Sequence, residues 1–324
     1  MDHASVAVDP ALIAKIAADL RQNGGAYMPR ANWLLLDAEA TSTEVDGLFP
    51  EAFAETAIAE RMATSEEMLD VWIGSGQMQP ALGASSERYR PFLTGHDPLG
   101  LWGANVGDEA VGAGLFDADL GSILDLNLLA TFAPSRERTL VVEVGGGYGR
   151  TAEAALNVFE GLKWVMVDAV PGSLAYAHEY LSRACPEAAI GFYYDDDPFD
   201  LDEFDCYIVP AWRFEELGGG TGYDVCVNIE SLQEMTQEAV DGYLGLFDRV
   251  VADDGVVYLS NAHDYVFTGE WNYPSRWKRL FQANTPRSWT RDHPTEIFTP
   301  AAGDHSAVNA AFESAYRHSL PVPG

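Results

Sequence analysis

Between residues 138 and 261, short apolar runs alternate with stretches of helical period. This alternation narrows the fold more than any other feature of the chain. The runs are RTLVVEVG (138–145), KWVMVDA (163–169), CYIVP (206–210), YDVCVNIE (223–230) and GVVYLSN (255–261). They are apolar on both faces rather than on alternate residues. Strands buried on both faces belong to a mainly parallel sheet covered by helices on either side. The intervening segments 151–160, 172–184 and 237–251 read as those helices, the second closed by Cys185-Pro186. In such a sheet a ligand sits outside the carboxyl ends of the strands, near the point where strand order reverses. Function is therefore sought in the loops that follow each strand.

The first 135 residues have a different character. PALIAKIAADL (10–20) places Leu12, Ile13, Ile16, Ala17 and Leu20 on one helical face, and Pro10 suits a first helical turn. Residues 49–74 read as one or two further helices ended by Gly74, residues 75–114 as loops, and residues 116–133 as another helix. The expected organisation is a mostly helical N-terminal extension (1–135), covering the acceptor side, followed by the α/β domain (136–324).

Bulk composition removes several classes of function. The formal net charge is −31 and only Lys15, Lys163 and Lys278 are lysines. So acidic a chain repels nucleic acid and anionic membranes. The acidity fits either a salt-loving source or GC-rich coding. Cys185, Cys206 and Cys226 are three in number and form no CxxC, which argues against a disulfide framework and a structural zinc site. No basic start leads into an apolar run, and no apolar stretch approaches the roughly 20 residues of a membrane span. A cytoplasmic location is the expectation.

The loop after the first run is Glu143-Val144-Gly145-Gly146-Gly147-Tyr148-Gly149. Glycines let the backbone turn tightly and lay bare amides against a ligand. A dinucleotide fingerprint needs G-x-G-x-x-G, but counted from Gly145 its last position is Arg150. A Walker loop needs Gly-Lys-Ser/Thr, which is lacking. An acidic residue followed by G-x-G-x-G resembles motif I of the class I S-adenosylmethionine-dependent methyltransferases. Within that class, N-x-x-S-x-x-E-M in NIESLQEM (228–235), GVVYLSN and YPSRWKRLF resemble the sugar O-methyltransferases of bacterial natural-product and polysaccharide pathways. The first resemblance covers roughly residues 138–261, and the finer one extends to about 298.

The resemblance implies a Rossmann-like sheet and S-adenosylmethionine as cofactor, leaving S-adenosylhomocysteine as product. Glu143, Gly145, Gly146, Gly147, Tyr148 and Gly149 then shape the cofactor loop. Asp168 ends a buried strand about 20 residues past the glycines, where an acid grips both ribose hydroxyls, with Ala169 beside it. Nicotinamide enzymes share that feature, and Asp168 also suits a helix N-cap. Pro210 and Trp212 fall where the resemblance puts the adenine. Trp212 can equally pack in the core. Asn228 opens the fourth loop, whose polar density is costly unless it faces a cleft.

Methyl transfer to a hydroxyl needs a base to take the proton. Glu234 is the first candidate, His263 the second, and Asp264 beside it could accept a proton or hold a sugar hydroxyl. The competing readings are a helix N-terminal acid for Glu234 and an ordinary loop histidine for His263. The acidic run YYDDDPFDLDEFD (193–205) leaves a divalent metal open, with a solvated loop as the alternative. In residues 270–289, Trp and Tyr interleave with Arg and Lys, a pattern for an acceptor wall against sugar rings or for core packing. The expected partner is a small-molecule acceptor, a sugar or glycoside. Phenol, polyketide or amine acceptors stay open, as do a homo-oligomer, a nicotinamide-dependent dehydrogenase and an inactive cofactor-binding relative.

Overall fold

The computed structural model describes residues 9–27, 125, 126, 128, 129, 137–195, 197–217, 222–262, 269–284 and 294–300. The helices expected at 49–74, the loops at 75–114 and most of 116–133 lie outside them. Residues 125, 126, 128 and 129 are helical, in keeping with the last of those expectations.

The described residues build an eight-stranded sheet in the order β3-β4-β2-β1-β5-β6-β8-β7. Six strands run parallel: β1 (Thr139–Val144), β2 (Leu162–Asp168), β3 (Ile190–Phe192), β4 (Cys206–Pro210), β5 (Tyr223–Ile229) and β6 (Val251–Ser260). The apolar runs form β1, β2, β4, β5 and β6, and every residue of β4 and β5 is buried. β1 lies between β2 and β5, so strand order reverses there.

Among the described residues, five helices of defined extent pack on this core: α1 (Pro10–Asn23), α2 (Arg150–Val158), α3 (Pro171–Ala184), α4 (Ala211–Phe214) and α5 (Gln237–Val250). The β1–α2–β2 crossover moves away from β5, while β5–α5–β6 moves the other way. Right-handed crossovers therefore put α2 and α3 on one face and α5 on the opposite face. α2 touches α3, while α4 and α5 both touch the short 3-10 turn Gly25–Tyr27.

Local chemistry sets the helix ends. Asp9 caps α1 by accepting from the Ala11 amide at 2.9 Å, and Pro10 follows in the first turn. Ile13, Ile16 and Leu20 are the buried face. Thr236 caps α5 through the Ala239 amide at 3.3 Å. All three cysteines are buried and unpaired with one another. Among the described residues no helix is long and apolar enough to cross a membrane.

Three strands have no counterpart in the sequence reading. β3 has only three residues. β7 (Lys278–Asn284) and β8 (Pro294–Thr299) add an antiparallel edge, β8 between β6 and β7. β8 is buried throughout yet carries Thr295, Glu296 and Thr299. Their polar atoms are satisfied inside: Thr295 Oγ1 meets Ser260 Oγ at 2.9 Å, Glu296 pairs with Arg279 at 2.9 Å, and Thr299 donates to the Gly255 carbonyl at 2.8 Å. β7 breaks its period-two pattern at a register shift between Arg279 and Phe281. β6 begins at Val251 rather than 255, with Asp253 and Asp254 exposed beside an irregular pairing.

The first part of the aromatic segment, residues 270–277, leads into this edge. Trp277 is buried and donates its indole N–H to Asp248 of α5 at 2.7 Å. Tyr273 donates to Glu296, and Trp271 is stacked on Tyr273 at 6.5 Å.

Candidate functional site

The glycine loop turns from β1 into α2 through three left-handed residues: Gly145 (φ 75°), Gly147 (φ 59°) and Gly149 (φ 95°). L-residues with a side chain resist this region by about 1–2 kcal/mol. The surroundings of the glycines differ. A Cβ on Gly145 would fall 2.0 Å from Ser231 Oγ, and one on Gly146 2.5 Å from Met166 Cγ. One on Gly149 would meet Leu181 at 2.9 Å. At Gly147 it would meet nothing within 4 Å. The loop is thus packed from below on three sides and open above Gly147. Tyr148 points into the protein, edge-on to Tyr180 of α3 at 5.1 Å, and fastens the loop to that helix.

Two buried carboxylates support the loop. Glu143 accepts from the Trp164 indole N–H at 3.0 Å, and its carboxylate lies beneath Gly146. Burial pushes the Glu143 carboxyl up to about 7, against the hydrogen bonds from Trp164 and Thr151. Asp168 clasps two loops together. Its Oδ2 accepts from the Gly147 amide at 3.0 Å, and its Oδ1 from the Val170 amide at 2.8 Å. Burial raises the Asp168 carboxyl to about 6, opposed by the amides of Val170, Gly147 and Ala169. One side chain thus holds a position against the open part of the glycine loop and a local turn to Val170, but it does not form the helix N-cap that the sequence also allowed: the N-cap position of α3 is Val170. No side chain caps α3.

Asp168 and Pro210 are register partners, so β2 and β4 end level with each other. Trp212 stands two residues further on, at the start of α4. It is 7% exposed, and its indole N–H donates to Asp19 of α1 at 2.9 Å. Glu143, the glycines, Asp168, Ala169, Pro210 and Trp212 are thereby gathered at the carboxyl ends of three adjacent strands.

The fourth loop resolves much of its polar density internally. Asn228 donates through Nδ2 to the Val144 carbonyl at 2.8 Å and to Ser231 Oγ at 2.6 Å. Its Oδ1 accepts from Asn261 Nδ2 at 3.0 Å and from the Leu232 amide at 3.3 Å. Gln233 Oε1 accepts from the Ala262 amide. This buried network ties the ends of β1, β5 and β6 together. Asn228 therefore sits beneath the glycine loop as a brace with its amide group fully engaged. Glu234 lies half-buried at the end of the 3-10 turn Leu232–Glu234. His263 and Asp264 fall outside the described residues. Glu230, at the end of β5, has φ 58°, a conformation that non-glycine residues seldom adopt and that gathers at functional sites.

Sequence reasoning missed Asp19, Trp164 and the backbone conformation of Glu230. Asp19 and Trp164 sit within segments of regular apolar pattern, and only tertiary contact reveals their partners. Among the described residues no group of three or more His, Cys, Asp or Glu is placed to hold a metal ion.

No family model matches the chain, and no curated protein sequence matches it. Among solved structures, a TehB-like SAM-dependent methyltransferase from Corynebacterium glutamicum is 14% identical over 60% of this chain and 94% of its own, with a TM-score of 0.39. TrmN from Thermus thermophilus is 14% identical over 55% and 48%, with a TM-score of 0.38. Phosphoethanolamine N-methyltransferase 2 of Haemonchus contortus, in complex with phosphomonomethylethanolamine and S-adenosylhomocysteine, is 20% identical over 42% and 28%, with a TM-score of 0.32. The chain thus spans less than half the length of the last two. At such scores the fold rests on the strand order itself.

Proposed function

We propose that the protein is an S-adenosylmethionine-dependent methyltransferase that methylates a hydroxyl of a small-molecule acceptor, a sugar or glycoside. One observation carries this reading. The G-x-G-x-G loop has Gly145, Gly146 and Gly149 packed against the protein, bare space over Gly147, and Asp168 clasped to the Gly147 amide beside that space. A nucleoside fits such a cradle: the glycines leave room for it and a strand-end acid lies where ribose hydroxyls reach. When bound, S-adenosylmethionine supplies a sulfonium-bound methyl carbon open to in-line displacement.

The chain's own residues do the rest. Glu143 and Asn228 brace the glycine loop from within. Asp168 accepts from the ribose hydroxyls, and Trp212 flanks the adenine. The loops after β5 and β6 flank the acceptor, and Glu234 or His263 takes the proton as the acceptor oxygen attacks, with Asp264 holding a neighbouring hydroxyl. Because the electrophile is already activated, positioning supplies most of the acceleration. Residues 136–324 form the catalytic domain, and the acceptor side is completed by part of residues 1–135. The sugar acceptor is supported by the NIESLQEM string and the partly buried Trp271–Tyr273 pair.

A turnover screen tests this. The purified chain is incubated with S-adenosylmethionine and glycosides, phenols and amines, and S-adenosylhomocysteine release is followed. Release with glycosides, lost in Glu234→Gln or His263→Ala while cofactor binding persists, is expected. Release with amines alone would replace the oxygen acceptor by a nitrogen.

A further inference from the structure

We infer that Asp19, brought in by the N-terminal helix, is a positioning residue for the adenine end of the cofactor site, acting through the indole of Trp212. This rests on the reading that the loop after β4 borders the adenine. Five donors converge on the Asp19 carboxylate. Its Oδ2 accepts from the Tyr194 hydroxyl at 2.7 Å, Trp212 Nε1 at 2.9 Å and Arg213 Nε at 3.3 Å. Its Oδ1 accepts from Arg213 Nη2 at 2.6 Å and Asn23 Nδ2 at 2.7 Å. Burial works against ionisation, yet the donors, Arg213 foremost, hold this carboxyl well below the usual carboxylate range.

The placement of the donors gives the cluster its meaning. Tyr194 follows β3 and Trp212 follows β4, so both stand on the ligand side of a parallel sheet. Trp212 has a single polar atom, the donor Nε1, and its bond to Asp19 fixes how the ring is turned. One turn earlier on the same helix, Lys15 donates to the Tyr194 carbonyl at 3.3 Å. Helix α1 itself packs on α3, while the turn Gly25–Tyr27 packs on α4 and α5. This segment thus passes between the two faces of the sheet beside the carboxyl ends of β3 and β4. It belongs to the cofactor end of the molecule, although an acceptor-side role was expected for the whole N-terminal part. A loop fixed before binding loses less order when the ligand arrives, so the anchor strengthens binding without touching the ligand.

The test is calorimetric titration of the full chain with S-adenosylhomocysteine and, separately, adenosine. An asparagine at 19 must turn its NH2 toward at least one of the donors. Asp19→Asn is therefore expected to weaken both ligands by the same factor, roughly tenfold. Trp212→Phe keeps an aromatic ring but loses the anchored N–H together with part of the ring area, and should weaken both ligands at least as much. If the two residues act as one unit, the double variant is no weaker than the worse single. Should Asp19→Asn fail to fold, Trp212→Phe carries the test, with weakened adenosine binding expected. Unchanged affinity in a folded Asp19→Asn, or losses that multiply in the double variant, overturns the inference while leaving the cofactor reading in place. No binding by the unsubstituted protein overturns both.

Discussion

Gly145 and Gly147 have the same backbone conformation, and an alanine at each has different consequences. At Gly145 the new methyl collides with Ser231 in addition to the left-handed penalty, so Gly145→Ala should cost about 2–4 kcal/mol of stability. At Gly147 the methyl enters empty space, and the loss is the backbone term alone, about 1–2 kcal/mol. That empty space is where the ligand lies in our account. Gly147→Ala should therefore stay folded, with S-adenosylhomocysteine affinity reduced at least tenfold, as read by urea unfolding and titration in parallel. A Gly147→Ala variant that binds normally would place the ligand elsewhere.

At the scale of elements, β1 and its loop carry a titration that stability measurements should see. The folded-state value of Glu143 lies near 7 against 4.5 for the free carboxyl, because burial disfavours the charge. The folded protein thus holds this proton more tightly than the unfolded chain. Its stabilising contribution is complete below about pH 4.5 and is lost as the pH rises through about 7. Relative to the parent, Glu143→Gln should gain about 2–3 kcal/mol between pH 5 and pH 8 in urea unfolding. A pH-independent difference between the two proteins would contradict the buried, raised carboxyl.

The same elements show what the sequence could reveal. β1, β2, β4 and β5 were legible because burial on both faces leaves an apolar run, and α1, α3 and α5 because each buries one stripe. β8 was hidden because its buried Thr295, Glu296 and Thr299 find partners on neighbouring strands, which no local pattern records. The site divides the same way. Glycines with positive φ and a strand-end acid are written locally. The role of Asn228 as a brace and the reach of Asp19 to Trp212 depend on chain segments brought together only by folding.

At the scale of the whole molecule, a net charge of −31 sets a background of self-repulsion. Screening reduces it, since the Debye length falls from about 10 Å at 0.1 M to about 3 Å at 1 M salt. Raising sodium chloride from 0.1 M to 1 M should raise the Tm by several degrees, and a fall in Tm would show that attractive surface pairs dominate instead.

The central claim concerns the molecule held over Gly147 and beside Asp168. It is tested most directly by calorimetric titration of the purified chain with S-adenosylhomocysteine, NAD and NADP, with Asp168→Ala in parallel. Micromolar binding of S-adenosylhomocysteine alone, weakened by the substitution, is the predicted result. Tighter binding of either dinucleotide, or no binding of S-adenosylhomocysteine, would contradict the methyltransferase reading.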